Sequence, residues 1–402
     1  MRLYNVHTLN ETEALIKSHF KSFETEVVPL DDLLNRVLAK DVYASIQVPS
    51  FRRSTVDGYA VHVSDTNGAS DTMPMLLNDT GSIEMGQAYN KKLNINDTIY
   101  VPTGGMVPND ADAMVMIEYT ERFSEDTIGI MKQALPLQHI VGVGSDIKIK
   151  DKILSKGQRL KARHIGTLAA SGIFEANVYK KITATIISTG DELITTEQPL
   201  KVGEVFDINT HTLKHQASVL DIEVLQTHVL KDQRELIKST IKAAVKTSDI
   251  TVISGGSSVG EKDYTADLID ELSEEAGVLI HGLAIKPGKP TIVGKVMNKL
   301  VLGLPGHPVS SLIVFDQLIR MYLSQMHDYQ YHTVSARLTQ NVHAAAGKET
   351  FVMVTIENGE ITPVLGKSGM ITMMSRADGY IRIDANQEGL DKGESVTVYL
   401  LD

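Results

Sequence analysis

Four segments in the second half of the chain combine glycine, proline, hydroxyl and charged residues in patterns that suit the binding of a small oxyanion. They are STGDEL (188–193), SGGSSVGEKD (254–263), KPGKP (286–290) and GLPGHPVSS (303–311). Small residues let the backbone curl so that several N–H groups point to one place, and lysine supplies a positive charge. These groups predict a site for phosphate or for another tetrahedral anion.

The second of these segments is close to a P-loop but is not one. Gly255 and Gly260 have the spacing of a P-loop, but Glu261 stands where its lysine belongs. We therefore expect a different phosphate-binding loop, whose contacts with substrate are Ser254, Gly255, Gly256, Ser257, Ser258 and Gly260. A plain strand-to-helix turn with Asp263 as its N-cap fits the same residues equally well.

Two carboxylates in these segments predict a metal site. Asp191 and Glu192 follow one strand directly, and such a pair repels an anionic ligand unless a divalent cation lies between them. Glu192 and Asp263 are therefore predicted to hold one Mg²⁺. The alternative is that Asp191 caps a turn and that Glu192 is solvated.

Two proline-stiffened turns are predicted to complete the site. Lys286 and Lys289 flank a Pro-Gly pair and supply positive charge, although two solvated lysines would have the same sequence. The other turn leads into a helix that begins at Pro308, and helix N-termini offer N–H groups to anions. The predicted contacts in this turn are Pro305, Gly306, Pro308 and Ser310. The alternative is an ordinary turn between a strand and a helix.

The elements that must position these groups form a regular alternation of strands and helices from residue 180 onward. Such alternation predicts a parallel sheet with helices on both faces, and ligands bind at the carboxyl ends of the strands in such sheets. Apolar spacing predicts that residues 10–40 are helical, with helical spacing in TEALIKSHF (12–20) and again in LDDLLNRVLAKDV (30–42). Short β-type runs with Gly and Pro between them predict β-rich regions near 43–137 and after residue 330.

Composition narrows the function classes. The net charge of −11, from 50 acidic and 39 basic residues, disfavours nonspecific binding of nucleic acid. There is no cysteine, which excludes disulfides and thiolate chemistry by the protein. The sequence has no apolar run long enough for a membrane span and no apolar core of a signal peptide. We therefore expect a cytoplasmic protein that acts on an anionic small molecule.

Taken together, the four segments resemble the molybdopterin molybdenumtransferase family, which includes MoeA and the gephyrin E domain. The resemblance extends to SFRRSTVDGYAV (50–61), PTGGMVPNDADAMVMIE (102–118) and residues 144–172. It implies a multidomain α/β plus β fold with a MogA-like, doubly wound, mostly parallel sheet, a β-rich insertion, a mixed N-terminal domain and a small C-terminal β-barrel. The expected domains are I (1–42 and 138–179, mixed and dimerising), II (43–137), III (180–326, catalytic) and IV (327–402).

The resemblance implies an activity and a set of site residues. The activity is Mg²⁺-dependent insertion of molybdate into adenylylated molybdopterin, which releases AMP and gives molybdenum cofactor. The family's functional positions fall on Asp57, Thr103, Asp146, Glu192, Asp232, Asp263, Lys286, Pro305 and Pro308. Either Asp57 or Asp146 would position the attacking oxygen. A homodimer is implied, with the cleft shared between subunits, and other molybdenum-cofactor biosynthesis proteins are further expected partners.

Two positions depart from the family pattern, and two other functions stay open. His307 stands where asparagine is common, and Gly282 stands where some members have a lysine. Ser368, Ser375 and Arg376 resemble polar contacts of the C-terminal domain only loosely. The alternatives are a molybdopterin adenylyltransferase, which would not need domains I, II and IV, and a nonenzymatic scaffold like gephyrin.

Overall fold

The computed structural model describes residues 6–195, 199–255, 264–275, 277–327 and 331–401. The α-helices in these ranges are α1 Leu9–His19, α2 Ala162–Ala170, α3 Asn209–Val219, α4 Arg234–Thr247, α5 Thr265–Leu272, α6 Pro308–Leu323 and α7 Thr372–Arg376. Short 3₁₀ helices span Leu30–Asp32, Val63–Thr66 and Ile117–Tyr119. None of the described helices is both long enough and apolar enough to cross a lipid bilayer.

The strands of the described ranges are numbered in chain order. They are β1 Thr25–Pro29, β2 Val42–Tyr43, β3 Arg53–Ser54, β4 Gly58–Val61, β5 Met75–Ser82, β6 Asp97–Val101, β7 Ala113–Met116, β8 Thr120–Ser124, β9 Thr127–Ile130, β10 Ile140–Val141, β11 Lys152–Leu154, β12 Glu175–Tyr179, β13 Thr183–Thr189, β14 Leu193–Ile194, β15 Val205–Phe206, β16 Glu223–Leu230, β17 Ile250–Ser254, β18 Val278–His281, β19 Ile285–Lys286, β20 Ile292–Val296, β21 Lys299–Leu304, β22 Thr333–Leu338, β23 Val342–His343, β24 Glu349–Glu357, β25 Glu360–Pro363, β26 Gly379–Ile383, β27 Gly389–Leu390 and β28 Ser395–Leu400.

The chain divides into two compact units. One consists of residues 1–25 and 179–402, and the other of residues 26–178. The first unit contains an α/β sheet and a β-barrel, and the second is mainly β-structure.

The α/β sheet of the first unit has the strand order β16-β13-β17-β21-β20-β18. Its first four strands are parallel, and β20 runs antiparallel to both of its neighbours, β21 and β18. Strands β13, β17 and β21 are buried along nearly their whole length, which explains why their sequences are continuous apolar runs without alternation. The predicted mostly parallel sheet is confirmed.

The sheet is doubly wound, with a switch in direction next to β13. The chain passes from β13 through α3 to β16 on one side, and then from β16 through α4 to β17 on the other. Because such crossovers are right-handed, α3 and α4 lie on opposite faces. Ile241 of α4, Ile253 of β17 and Ile269 of α5 share one buried cluster. The switch point between β13 and β17 is where open α/β sheets bind ligands.

The C-terminal strands close into a barrel, which confirms that prediction. Strands β24-β25-β22-β28-β26 follow one another in the sheet, and β26 pairs back onto β24. The barrel encloses its own apolar cluster, which includes Val354, Ile381 and Val398. Strand β19 adds to the barrel beside β24, so the segment that carries Lys286 is fixed at the barrel's edge.

Helix α6 joins the sheet to the barrel through buried polar contacts. Asp316 accepts hydrogen bonds from Arg320 Nε (2.7 Å) and from Gln216 Nε2 of α3 (2.9 Å). Tyr380 of the barrel donates its hydroxyl to Asp316 (3.2 Å) and accepts from Gln317 Nε2 (2.7 Å). These bonds satisfy groups that would be costly to bury alone, and they fix the helix whose first turn borders the candidate site.

The second unit is built around a six-stranded sheet with the order β7-β4-β6-β5-β9-β8. Apolar clusters lie on its two sides, with Tyr59 and Val61 in one and Ala60 and Ile99 in the other. Alternate residues of β4 therefore face different cores, as the two-residue period of a strand requires. A further cluster in this unit packs α2 against β1 and β12.

The predicted helix over residues 30–42 is wrong. Only Leu30–Asp32 is helical, as a 3₁₀ turn, and Asn35 has a left-handed φ of 64°. Leu33 and Leu38 are buried, but Leu38 N–H donates to Gln158 O (3.1 Å) instead of to its own segment. The helical spacing of the leucines reflects packing of an irregular segment on a core, which periodicity alone does not distinguish from a helix.

Candidate functional site

A cleft of about 910 Å³ opens at the carboxyl ends of β13 and β17, which is the switch point of the sheet. All four predicted segments contribute to its wall. Three of them contribute Glu192, Ser254, Gly255, Pro305, Gly306 and Pro308, the KPGKP segment contributes only Pro290, and Asp232 lies there too. The remaining lining residues are Ser188, Thr189, Gly190, Leu193, Leu200, Glu204, Val205, Phe206, Asp207, Ile208, Asn209, His307, Gly369 and Ile371.

Glycine is required where the two central strand ends meet. Gly255 has a φ of +102°, and a side chain at this position would collide with the Thr189 carbonyl oxygen and lie 2.9 Å from Thr189 Oγ1. A Cβ at Gly306 would lie 3.9 Å from the Cα of Gly255. The backbones of three predicted segments therefore approach one another closely, and no side chain on Gly255 or Gly306 shields them, which suits contact with a phosphate.

Asn209 connects two of these segments, and the sequence analysis did not identify it. Its side-chain amide donates to Ser254 Oγ (2.7 Å) and to the Gly306 carbonyl (2.8 Å). The residue starts α3, and sequence reasoning treated it only as part of that helix. The signal that could have found it is its place at the start of the helix after β13, since that end of the helix faces the same edge of the sheet.

The Glu192 and Asp232 side chains line the mouth of the cleft, and Asp191 lies next to Glu192 in the chain and to Asp232 in space. Asp232 N–H donates to Asp191 Oδ1 (3.1 Å), and Lys231 Nζ holds the turn by donating to the carbonyls of Asp191 (2.7 Å) and Leu193 (2.9 Å). Burial raises the pKa of Asp232, and the negative charges of Asp191 and Glu192 raise the same pKa further. A bound cation would stabilise the ionised form of carboxylates that lie this close together.

The carboxylates fit Mg²⁺ as a partly hydrated ion. Among the described residues, no group of three or more acidic or histidine side chains is arranged to enclose a metal by itself. Mg²⁺ keeps several waters and commonly takes only one or two protein carboxylates together with phosphate oxygens of a substrate. The donor set of Glu192 and Asp232 therefore fits Mg²⁺, and Asp263 lies outside the described residues.

The first turn of α6 is closed by the barrel. His307 Nδ1 lies 3.1 Å from Ser368 Oγ, and Val309 N–H donates to the Ser368 carbonyl (3.3 Å). The N–H of Val309 is therefore occupied, although the sequence led us to expect N–H groups free for an anion at this turn. Ser310 is buried in the same turn and does not line the cleft.

Both lysines of the KPGKP segment are exposed: Lys286 is the last residue of β19, and Lys289 lies on the loop that follows. Gly288 has a φ of +116°, and a side chain there would collide with Val314 of α6, so this loop lies close to the helix. Pro290 at the end of the loop lines the cleft, whereas Lys286 and Lys289 do not. The structure thus places these lysines in the same unit as the cleft but not in its wall.

The remaining predicted residues of the N-terminal half lie in the second unit. Asp57 Oδ1 accepts from Thr103 N–H (2.8 Å), so two of the predicted positions are in direct contact. Asp146 is exposed, and its N–H donates to the Val48 carbonyl (3.1 Å). Gly256, Ser257, Ser258, Gly260 and Asp263 all fall outside the described residues.

Family models cover nearly the whole chain. Residues 7–172 match the MoeA N-terminal region (domain I and II), and residues 335–401 match the MoeA C-terminal region (domain IV). Residues 185–325, which contain the cleft's strand ends, match the model described as "Probable molybdopterin binding domain".

Individual proteins are similar over the same extent. The molybdopterin molybdenumtransferase of Haemophilus influenzae is 31% identical over 385 residues, which are 93% of each chain. That of Bacillus subtilis is 30% identical over 395 residues, which are 95% of this chain and 91% of the other. A solved MoeA protein of molybdopterin biosynthesis from Pyrococcus horikoshii superposes with a TM-score of 0.88 at 36% identity, covering 99% of this chain and 100% of the other.

Proposed function

Because the chain belongs to the molybdopterin molybdenumtransferase family, we propose that it inserts molybdate into adenylylated molybdopterin and releases AMP, giving molybdenum cofactor. The observation that carries this proposal is the meeting of three anion-directed segments and an acidic pair in one cleft at the switch point of the sheet. The cleft has the volume of a site for a small molecule of this size.

The phosphates of the substrate would lie on the backbone at Ser254 and Gly255 and on the loop that follows. Asn209 keeps this strand end in a fixed position relative to Gly306, so the backbone groups are oriented before the substrate arrives. Glu192, together with Asp263 or Asp232, would hold Mg²⁺ at the mouth. When bound, Mg²⁺ would supply positive charge against the phosphate oxygens.

Molybdate is a dianion, so its site needs N–H groups and a positive charge. Lys286 and the turn at Pro305–Pro308 are the groups that we assign to it, with Lys289 and Ser310 as further contacts. The lysines stand outside the cleft wall in the structure. Their role therefore requires that the long side chains reach toward the bound substrate, which exposed lysines with flexible stems can do.

Asp57, Thr103 and Asp146 complete the proposed set, with Asp57 or Asp146 orienting the attacking oxygen. We also propose that the chain works as a homodimer in the cytoplasm and meets other proteins of molybdenum-cofactor biosynthesis. Light scattering at micromolar protein concentration measures the oligomeric state directly, and a monomer at that concentration would contradict the proposed homodimer.

Paired assays test the reaction itself. Adenylylated molybdopterin with molybdate and Mg²⁺ should give AMP, whereas molybdopterin with MgATP should give no adenylylated product. Product only in the second assay would mean that the protein is an adenylyltransferase, and product in neither would favour a nonenzymatic scaffold.

Substitution of the proposed metal ligand connects the cleft to the reaction. Glu192→Gln should fold normally but lose at least about tenfold in Mg²⁺-dependent AMP release, because it removes a charged ligand from the metal. Glu223→Gln is the matched control, since Glu223 is exposed at the amino end of a parallel strand and so at the opposite edge of the sheet. Equal AMP release by both variants would remove Glu192 from the site.

A further inference from the structure

Part of the cleft has a chemistry that phosphate and molybdate do not explain. Leu200, Val205, Phe206 and Ile371 line it with apolar side chains whose exposed fractions are 49%, 47%, 42% and 52%. Large apolar side chains in contact with water are unfavourable, and several of them around one cleft mark a surface that a ligand covers. An anion would gain nothing from these side chains.

The apolar side chains are held by a short parallel ribbon beside the acidic residues. Strand β14 pairs with β15, with Leu193 opposite Val205 and Ile194 opposite Phe206. Val205 N–H donates to the Glu192 carbonyl (3.0 Å), so the ribbon starts directly at the acidic mouth. Phe206 therefore directly follows a residue that is bonded through its backbone to Glu192, which we assign to Mg²⁺.

The chain after Phe206 leads to the other side of the site within three residues. Asp207 N–H donates to the Ile194 carbonyl (3.2 Å), and Asp207 Oδ1 accepts from Thr210 N–H (3.3 Å) at the start of α3. Asn209, which bonds to Ser254, follows at once. The position of the Phe206 backbone is thus set from both directions, which a platform for a ligand requires.

The barrel supplies a second apolar wall to the same cleft. Ile371 follows the segment in which Ser368 is bonded to His307 and to Val309. A Cβ at Gly369 would lie 3.6 Å from His307 Cδ2, so this segment packs closely on the turn before α6. Ile371 therefore projects from a fixed part of the barrel.

We propose that Phe206 is the stacking platform for the flat heteroaromatic ring of the substrate. This inference rests on the proposed function and adds a binding position to it. The substrate has two such rings, the adenine of its nucleotide and the pterin, and both have a π-face that stacks on phenylalanine. Phosphates on the Ser254–Gly255 backbone and a ring on Phe206 would account for both the polar and the apolar residues of the cleft.

A tryptophan at this position reports on stacking directly. The chain contains no tryptophan, so Phe206→Trp gives a protein with a single indole fluorophore. Titration with AMP, with neopterin and with inorganic phosphate should give saturable quenching with at least one ring compound and none with phosphate. Quenching by AMP assigns adenine to the platform, and quenching by neopterin assigns the pterin.

The proposal is overturned if neither ring compound quenches, or if phosphate quenches as strongly as the ring compound that does. Phe174→Trp is the control, because Phe174 is exposed and belongs to the unit of residues 26–178, which does not line the cleft. The fluorescence of the Phe174→Trp variant should show only collisional quenching, which rises with the concentration of the added compound and does not saturate.

Binding of the quenching compound, measured by calorimetry, separates stacking from simple burial. Phe206→Tyr should stay within about threefold of the parent Kd, whereas Phe206→Leu should weaken binding about tenfold, because leucine is apolar but has no flat face. Equal affinity of the leucine variant overturns stacking. Turnover of adenylylated molybdopterin by the unsubstituted protein is a separate readout, so loss of the proposed function and loss of the platform can be told apart.

Discussion

At the scale of single residues, the cleft depends on positions where a side chain is missing. Gly255 combines a left-handed backbone with direct contact to the Thr189 carbonyl, so alanine there is opposed both by the conformation and by the collision. A positive φ alone usually costs a non-glycine residue about 1–2 kcal/mol. The collision adds to that cost because the neighbouring atoms belong to the backbone and cannot rotate away.

We expect Gly255→Ala to lower the free energy of unfolding by about 3 kcal/mol or more. Gly203→Ala is the matched control, since Gly203 also has a positive φ (93°) but has no atom within 4 Å of its Cβ position. It should cost only about 1 kcal/mol. Urea unfolding of both variants measures the difference, and equal losses would show that the contact with Thr189 is unimportant.

Asn209 gives the second prediction at this scale. Asn209→Ala removes the hydrogen bonds to Ser254 Oγ and to the Gly306 carbonyl and should reduce AMP release about 10- to 100-fold, because the strand end is no longer held in place. Ser254→Ala removes only one of the two bonds and should have a smaller effect. Steady-state kinetics measures AMP release by the two variants, and circular dichroism checks that both fold. A larger loss of activity in Ser254→Ala than in Asn209→Ala would contradict this assignment.

The sequence indicates some of these residues and not others, for physical reasons. Glu192, Ser254 and Gly306 could be placed in one cleft because parallel strands end at a common edge, and strand ends are visible as the ends of apolar runs. Asn209 was missed because its partners lie 45 and 97 residues away in the chain. The contact of His307 with Ser368 depends on the docking of the barrel, which no local pattern encodes.

At the scale of elements, one side chain connects the amino ends of three strands, opposite the carboxyl ends where the cleft lies. Asp249, just before β17, accepts hydrogen bonds from the backbone N–H (3.0 Å) and hydroxyl (2.9 Å) of Thr183 in β13. Lys299 of β21 donates to the other carboxylate oxygen at 2.6 Å. One side chain therefore bridges the starts of three adjacent parallel strands.

This bridge predicts a dependence of stability on pH. Burial by itself would raise the pKa of Asp249, but the Lys299 ammonium and the Thr183 hydrogen bonds outweigh burial and hold that pKa below the ordinary 3.8. A lowered pKa in the folded state means that the stabilisation is present above about pH 4 and is lost as the pH falls through the folded-state value.

We expect Asp249→Asn to lower the free energy of unfolding by about 2 kcal/mol at pH 7. The difference from the parent protein should shrink as the pH falls from about 4 through the lowered folded-state pKa, because the parent carboxylate then becomes protonated too. Glu223→Gln, at the same edge of the sheet but exposed, should change little at either pH. A difference for Asp249→Asn that stays constant from pH 7 to pH 3 would show that the ion pair does not contribute.

At the scale of the whole molecule, α6 determines how sheet and barrel stay together. Its residues are buried on nearly all sides, with Asp316 and Arg320 among them. The Arg320 guanidinium also lies over the ring of Tyr331, 4.6 Å from its centroid. Tyr331 and Tyr380 belong to the C-terminal part of the chain that forms the barrel, so aromatic groups of the barrel contact charged groups of α6.

Breaking this buried pair from one side should be far more damaging than replacing both members. Asp316→Ala leaves the Arg320 charge without its carboxylate partner and should cost about 3–5 kcal/mol. The double variant Asp316→Leu with Arg320→Leu should lose less, because no buried charge remains. Thermal unfolding of the two variants measures this, and a double variant less stable than the single one would contradict the argument.

The burial of α6 also bears on how freely this protein could be recombined. A chimaera that kept the sheet but discarded everything after residue 330 would partly uncover α6, whose side chains are buried on almost its whole circumference. The Asp316–Arg320 ion pair would also lose its contacts with Tyr380 and Tyr331. Such a fragment would be prone to aggregate. His307, which lines the cleft, would also lose its contact with Ser368. Experiments that exchange domains between related proteins should therefore transfer the sheet and the barrel together.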